Sequence, residues 1–247
     1  MCSEFRTPGI KTLSTAPGEW CKGENFSMPS APVQESKPPS IKQTNSMEGF
    51  TNTDQPQGWD AALARMSFFR KPITNKRPEP WPVSLFWVYQ YVRGRCAMPE
   101  TEELRSIEGE QQQREYKGRH FDYITPSGVF SYCSDNSLLK HSEVLCVDLD
   151  KLYARLEEMF QRLLKDPVFD TLLLFRSPRG NGLKWFIHID LSRCDHRTWY
   201  AAVRNYLMAT YQLTDEQVDP QCSNPSRPCY LGHDPEAYLK DELIEWF

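Results

Sequence analysis

The most constraining feature of the sequence is a short apolar run that ends in two acids, Val144–Asp150 (VLCVDLD). As a β-strand, this run places Asp148 and Asp150 on the same face, because side chains repeat every two residues along a strand. Two neighbouring carboxylates on a buried strand repel each other and lose hydration unless a cation lies between them. Hard divalent cations such as Mg²⁺ or Mn²⁺ take oxygen ligands of this kind. The alternative is a strand that ends in solvent, with Asp150 capping the following helix.

The composition of the 247 residues narrows the class of protein. Hydrophobic residues make up 39% of the chain, which is low for a wholly globular protein, and the net charge of −4 leaves only local basic patches for nucleic acid. The eight cysteines form no CxxC pair, which argues against a zinc site and is typical of reduced thiols in a cytosolic protein. Neither a membrane-spanning run nor a signal peptide is recognisable, so we expect a cytoplasmic protein that has no membrane partner.

Three segments differ in composition. Residues 1–57 are rich in Ser, Thr, Pro, Gly and Gln without periodicity, which predicts a disordered arm. Residues 58–81 are interpreted as a linker with a short helix over Trp59–Phe69 and a small basic patch. Residues 82–247 carry the apolar patterns and are predicted to form one domain.

The patterns within this domain predict both helices and strands. Phe121–Thr125 and Val129–Tyr132 are β-prone and flank a Pro-Ser-Gly turn, which predicts a hairpin. Five other elements are expected: an exposed helix over Glu102–Arg119, an amphipathic helix over Lys151–Lys165, a buried strand over Thr171–Phe175, a helix from the Asp195 cap to about Tyr211, and a short strand over Gln217–Asp219. The order of elements predicts an α/β fold of the α+β sandwich type, with helices packed on a mixed sheet.

A polar turn after the Thr171–Phe175 strand has the composition of a polyphosphate cradle. It carries Arg176, Ser177, Arg179 and two glycines, Gly180 and Gly182. Glycines allow backbone N–H groups to approach phosphate oxygens, and the cations balance their charge. A tight turn between two strands also requires glycine for its shape alone.

An alternating strand follows this turn over Leu183–Asp190. Its odd positions, such as Leu183 and Trp185, are apolar and predict the core face, so Lys184 is expected on the opposite face. If this strand lies beside the one that bears Asp148, the Lys184 ammonium is expected at the mouth of the metal site, where it would meet a triphosphate rather than the metal. Asp219 is a candidate third carboxylate, and Arg227 follows it as a further cation.

Four blocks of the sequence, in order, resemble one known family. They are FDYITPSGVF (121–130), LKHSEVLCVDLDKL (139–152), FRSPRGNGLKWFIHI (175–189) and DPQCSNPSRPCYLGHD (219–234). Together they resemble the VirE N-terminal-like domain of bacterial mobile-element and phage-like proteins. That domain is in turn similar to the archaeo-eukaryotic primase, or primase-polymerase, superfamily.

The superfamily pattern is an Asp-x-Asp strand end, a Ser-x-His strand start and a further Asp. By resemblance, Asp148 and Asp150 match the first motif, and Asp219 is the candidate for the third. Gly182-Leu183-Lys184 stands in the place of Ser-x-His, so Lys184 replaces the histidine. This departure bears on nucleotide binding and on activity, although a lysine still pairs with a triphosphate as a point charge. His188 is interpreted as an ordinary strand residue.

The resemblance implies a primase-polymerase-like core that transfers nucleotides in mobile-element or phage-like DNA replication. Mg²⁺ or Mn²⁺ held by Asp148, Asp150 and Asp219 would support catalysis. The incoming nucleoside triphosphate would be bound by Arg176, Ser177, Gly182, Lys184 and Arg227. Single-stranded or primed DNA would be the template, and a separate helicase would supply unwinding. Two alternatives remain: a catalytically degenerate module that binds nucleic acid or nucleotide, and a metal-dependent nuclease.

Overall fold

The fold is known from a computed structural model that describes residues 61–244, so the arm predicted over residues 1–57 lies outside the described residues. The fold is organised around an antiparallel sheet with strand order β5-β7-β6-β9, formed by Val144–Leu149 (β5), Thr171–Arg176 (β6), Leu183–His188 (β7) and Tyr238–Leu239 (β9). Its interior strand β7 alternates as the sequence predicts, with Leu183, Trp185 and Ile187 on one face and Lys184 on the other.

One face of this sheet is covered by two amphipathic helices, α4 (Leu156–Leu164) and α5 (His196–Tyr211). Both were expected from the apolar spacing, although α4 begins later than predicted, after a 3-10 turn over Tyr153–Arg155. Asp195 caps α5 as predicted, because its carboxylate accepts a hydrogen bond of 2.8 Å from the Thr198 N–H.

The other face packs against helix α1 (Leu85–Arg93) and a second, three-stranded sheet. That sheet has the order β1-β2-β8 and is built from Ser67–Phe69 (β1), Tyr123–Thr125 (β2) and Cys229–Tyr230 (β8). Since β1 and β8 come from distant parts of the chain, this layer joins the beginning and the end of the described segment into one core.

The remaining elements lie around these layers. Helices α2 (Met98–Ser106) and α3 (Glu110–His120) are followed by a two-stranded sheet of β3 (Gly128–Phe130) and β4 (Leu138–His141). Further 3-10 turns cover Ala61–Leu63, Asp135–Ser137, Pro220–Ser223 and Asp241–Leu243. The single helix expected over Glu102–Arg119 is thus two helices, because Ile107 has an extended backbone and Gly109 adopts a φ of 91°.

The expected α+β class is confirmed, but several details are wrong. Every strand pairing within residues 61–244 is antiparallel, so the sheet is not mixed. The predicted hairpin between Phe121–Thr125 and Val129–Tyr132 does not form, because β2 pairs with β1 and β8, while β3 pairs with β4. Residues 217–219 form no strand, and the helix expected over Trp59–Phe69 is replaced, within its described part, by a 3-10 turn and strand β1.

The predicted linker over residues 58–81 contributes to the core from Ala64 onward. Met66, Phe68 and Phe69 are each at most 1% exposed. The Phe68 ring lies 4.9 Å from Trp87 and 6.0 Å from Tyr91, measured between ring centroids. The domain therefore begins well before residue 82.

Two further sequence-based expectations concern membrane-spanning helices and cysteine thiols. No helix in the described part of the chain is long and apolar enough to cross a membrane. Cys96, Cys133, Cys146, Cys222 and Cys229 are free thiols, as expected.

Substitution of Phe68 tests whether this segment belongs to the fold. Phe68→Ala is expected to lower the free energy of unfolding by about 3–5 kcal/mol, because it leaves a cavity between β1 and α1. Tyr153→Ala is the matched control, since Tyr153 is 62% exposed, and should change stability by less than about 0.5 kcal/mol. Chemical denaturation of both variants measures these changes. Equal stabilities of the two variants would indicate that residues 64–69 belong to a linker and not to the core.

Candidate functional site

An ion pair between neighbouring strands lies at the centre of the candidate site. Asp148 on β5 is directly opposite Lys184 on β7, and Lys184 is in turn opposite Phe175 on β6. The Lys184 ammonium pairs with Oδ2 of Asp148, and Lys184 is only 5% exposed. Burial lowers the pKa of Lys184, but the negative charges around it, led by Asp148, raise that pKa above its ordinary value. Lys184 therefore stays charged inside the fold.

The carboxylates near Lys184 are half-buried without full compensation by hydrogen bonds from the described residues. Asp150 follows β5 on the face of Asp148, and burial together with the charge of Asp148 raises its pKa. Oδ1 of Asp148 is buried and has no hydrogen-bond partner among the described residues. A buried carboxylate oxygen of this kind is satisfied by a cation, a donor or a water molecule.

The turn from β6 to β7 closes the site beside Asp150. The Ser177 N–H donates to the Gly182 carbonyl over 2.8 Å, which continues the strand pairing into the turn. A Cβ on Gly182 would lie 2.1 Å from the Leu149 carbonyl oxygen, so only glycine fits where the turn meets the end of β5. Gly182 is therefore required for the local packing, whatever it contributes to a ligand.

The same turn holds three more buried polar atoms that have no hydrogen-bond partner within residues 61–244. They are Oγ of Ser177, Nε of Arg179 and Oδ1 of Asn181. Native proteins pair most buried polar atoms, and several unpaired ones in a single turn indicate a place for a ligand or ordered water. The predicted cradle thus has free donors and acceptors close to the carboxylates.

Three cations besides Lys184 surround the carboxylates. Lys117 projects from α3, with Nζ 5.0 Å from the Tyr230 ring centroid. Burial and the positive charge of Lys184 lower the pKa of Lys117 to about 8, although Asp148 opposes the shift. Arg179 lies close enough to act on the pKa of both Lys117 and Asp150. Arg227 lines the same cavity as Asp148 and Lys184.

The cavity next to the ion pair is small. Its volume is about 20 Å³, enough for about one water-sized group. Besides Asp148, Lys184 and Arg227, its walls include His196 and Asn224. A larger ligand would insert a single atom here and keep the rest of its mass outside.

The structure separates Arg176 from the other predicted site residues. Its side chain lies on the opposite face of the sheet, with the guanidinium carbon 5.1 Å from the Phe160 ring centroid on α4. Asp234 accepts from the Arg176 N–H over 2.7 Å and from Nη1 over 3.0 Å, and Glu157 and Glu236 pair with Nη2. Because these carboxylates satisfy it, Arg176 links α4, β6 and the segment before β9 instead of facing the cavity.

Asp219 lies near the site without completing a metal cluster. Its carbonyl accepts the Tyr200 hydroxyl over 2.5 Å, and its charge, like that of Asp148, acts on the pKa of Tyr200 and of Cys222. Within residues 61–244, however, no group of three or more His, Cys, Asp or Glu side chains could hold a metal ion. The predicted cluster of three carboxylates is therefore not assembled.

The carboxylates that are assembled fit a single divalent cation better than two. Asp148 offers an unpaired buried oxygen, and burial together with the charge of Asp148 raises the pKa of Asp150. One or two carboxylates completed by substrate phosphates are a common ligand set for Mg²⁺. The residues present therefore fit one such ion, which Asp148 and Asp150 would hold.

Sequence reasoning missed Lys117 and His196. Lys117 lies in a helix without buried residues, so no apolar pattern distinguished it from its charged neighbours. His196 is the first residue of α5, directly after the Asp195 cap. Its position next to a predicted cap was visible, but the packing of this helix end against the cavity was not.

The two carboxylates are expected to respond oppositely to neutralisation. Asp148→Asn leaves the buried Lys184 without its partner and should cost about 3 kcal/mol of stability. Asp150→Asn should instead raise the melting temperature at pH 7. Folding raises the pKa of the Asp150 carboxyl, so its ionised form destabilises the folded protein once the pH exceeds that pKa. Thermal unfolding without divalent ions measures both. Equal destabilisation by the two variants would contradict the charge distribution described above.

One comparison with known proteins gives a match. Residues 116–239, which are 124 of the 247 residues, match the family described as BT4734-like, N-terminal domain. That description states no activity, substrate or partner. No curated protein and no solved structure matches the chain. The matched segment includes β2 to β9 and every predicted site residue, and the chain belongs to the BT4734-like N-terminal domain family.

Proposed function

We propose that this domain binds a nucleoside triphosphate together with Mg²⁺ or Mn²⁺ and catalyses nucleotidyl transfer of the primase or polymerase type on DNA. The observation that carries the proposal is a half-buried carboxylate pair, Asp148 and Asp150, enclosed by four cationic side chains (Lys117, Arg179, Lys184 and Arg227). Bound phosphates would be neutralised by the cations, and a metal ion by the carboxylates. The resemblance of the sequence blocks to VirE N-terminal-like and primase proteins supports the same function.

Each side chain has a distinct task in this proposal. Arg227 and Lys117 would bind phosphate oxygens, and Ser177 and Asn181 would hydrogen-bond the ligand from the turn. Lys184 would hold Asp148 in place and keep its charge balanced until a ligand arrives. A bound divalent cation would supply Lewis-acid stabilisation of the negative charge that develops in phosphoryl transfer. With no nucleophilic side chain required, positioning and electrostatics would account for the rate.

The basic side chains near the site also suggest a nucleic-acid partner. The last turn of α3 carries Lys117, Arg119 and His120 and so forms a basic edge, of which Lys117 lies near the carboxylates. Single-stranded or primed DNA would lie along this edge, since phosphate contacts dominate nucleic-acid affinity. Opening of duplex DNA would be left to a separate helicase.

A binding module without chemistry is the second candidate. The ion pair between Lys184 and Asp148 favours it, because it occupies one oxygen of a carboxylate that a two-metal mechanism would need. No third carboxylate joins the pair in the described part of the chain. In this alternative the domain would bind a nucleotide or DNA and leave catalysis to another protein.

Incorporation of labelled nucleotide into primed and unprimed single-stranded DNA, with Mn²⁺ present, tests the proposal directly. The wild-type chain should extend or synthesise a primer, and Arg227→Ala should reduce both incorporation and triphosphate affinity about tenfold or more. Arg193→Ala is the matched control, because Arg193 pairs with Asp190 at the surface. Nucleotide binding without incorporation would favour the binding module, and strand scission would indicate a nuclease.

The pKa of Lys117 gives the proposed site a pH dependence. Since Lys117 loses its proton near pH 8 in the free protein, triphosphate affinity should fall as pH rises above about 8, and binding there should take up a proton. Lys117→Arg should abolish this fall, because a guanidinium stays charged throughout the range. Calorimetric titrations from pH 7 to 9.5 in buffers of different ionisation enthalpy provide the measurement. An unchanged pH profile in Lys117→Arg would exclude Lys117 from the anion site.

A further inference from the structure

Two histidines outside the carboxylate site form a hydrogen-bonded pair at the edge of its cavity. His141 is the last residue of β4, and His196 is the first residue of α5. Nε2 of His141 lies 3.1 Å from Nδ1 of His196. The pair is largely buried, with His196 8% exposed. No carboxylate is hydrogen-bonded to either ring within the described residues, so the pair is not an ordinary surface ion pair.

A backbone amide sets the protonation of both rings. The Glu143 N–H lies 2.8 Å from Nδ1 of His141, and because an amide N–H only donates, this Nδ1 carries no proton. His141 must then carry its proton on Nε2, which donates to Nδ1 of His196. Nδ1 of His196 is therefore also unprotonated, and the proton of His196 lies on Nε2. One amide thus determines the tautomer of His196 through a chain of two hydrogen bonds.

Both rings are neutral in this arrangement. Burial lowers the pKa of His141 to about 4, and burial together with repulsion from a protonated His141 lowers the pKa of His196 to about 3. The outcome for His196 is a neutral ring whose Nε2–H is its remaining donor. That donor has no protein partner among residues 61–244, and His196 lines the cavity with Lys184 and Arg227.

We propose that His196 donates its Nε2–H to an oxygen of a phosphate group bound at the cavity, and that His141 is the positioning residue that holds His196 in this tautomer. The inference rests on the proposed function and names a further residue of the same site. Lys184, Arg227 and His196 line the same cavity. An oxyanion is the ligand that accepts from all three, while the walls leave room for about one oxygen-sized group.

Nuclear magnetic resonance of the imidazole nitrogens tests the tautomer without any variant. The chain has five histidines, so assignment by single substitution is practical. His196 should show a protonated Nε2 and an unprotonated Nδ1 near neutral pH, and its Nε2–H resonance should shift as inorganic pyrophosphate is titrated. In His141→Asn, Oδ1 of the asparagine still accepts from the Glu143 N–H but nothing donates to His196. There His196 should populate both tautomers.

Pyrophosphate affinity of matched variants tests the donor itself. His196→Phe keeps a flat ring and removes the donor, so affinity should fall about tenfold, as expected for a lost hydrogen bond to a charged group. His196→Gln keeps an N–H close to the Nε2 position and should stay within about threefold of wild type. His141→Asn should lose less affinity than His196→Phe, because part of the His196 population retains the required tautomer.

The outcomes separate this inference from the proposed function. If the wild-type chain binds pyrophosphate but His196→Phe binds it equally well, the role of His196 is overturned and the proposed function stands. An unprotonated Nε2 in wild type would overturn the relay in the same way. If the wild-type chain binds no pyrophosphate at all, the proposed function fails, and the phosphate role of His196 fails with it.

Discussion

The pairing of Asp148 with Lys184 across β5 and β7 is the interaction on which the arrangement of the site depends. Strand β7 is interior to the sheet, so the Lys184 charge is buried on both sides by neighbouring strands. A shift of β7 by one residue would point Lys184 into the apolar layer of α4 and α5 and Trp185 towards the carboxylates. The cost of burying an unpaired ammonium therefore adds to the hydrophobic pattern in fixing this register.

The same pairing leaves the site incompletely satisfied. Burial and the adjacent charge of Asp148 raise the pKa of Asp150, although Lys184, Lys117 and Arg179 oppose this shift. The turn beyond Ser177 adds buried polar atoms without partners, while the further cations come from α3 and from the segment before β8. Three separate parts of the chain thus bring opposite charges to one sheet edge, an arrangement that a metal–phosphate ligand would complete.

The sequence predicted those parts that depend on local periodicity. The alternation of β7, the faces of Asp148 and Lys184, and the capped helix α5 all follow from side-chain spacing. The elements that were predicted wrongly depend on pairing between strands that are distant in the chain. β2 leaves its predicted hairpin because β1 and β8, which lie far away in the chain, cover both of its edges.

Arg176 and Lys117 show the same limit for the site. Arg176 belongs to a turn with the right composition, but Asp234, which lies 58 residues away, holds it on the other face of the sheet. Lys117 is one of several charged residues on a helix without an apolar face, and only the packing of α3 against Tyr230 brings it to the carboxylates. Composition therefore predicted which types of side chain would gather at the site, whereas tertiary packing determined which residues do so.

The most direct test of the account is whether metal and triphosphate bind to this site together. Calorimetric titration of a nucleoside triphosphate, with and without Mn²⁺, should show that the metal strengthens triphosphate binding. Titration of Mn²⁺, with and without the triphosphate, should show a coupling of equal size, as thermodynamic linkage requires. Asp150→Asn should abolish the coupling while leaving measurable metal-free triphosphate binding. Independent binding of the two ligands, or coupling that survives in Asp150→Asn, would contradict a shared site at Asp148 and Asp150.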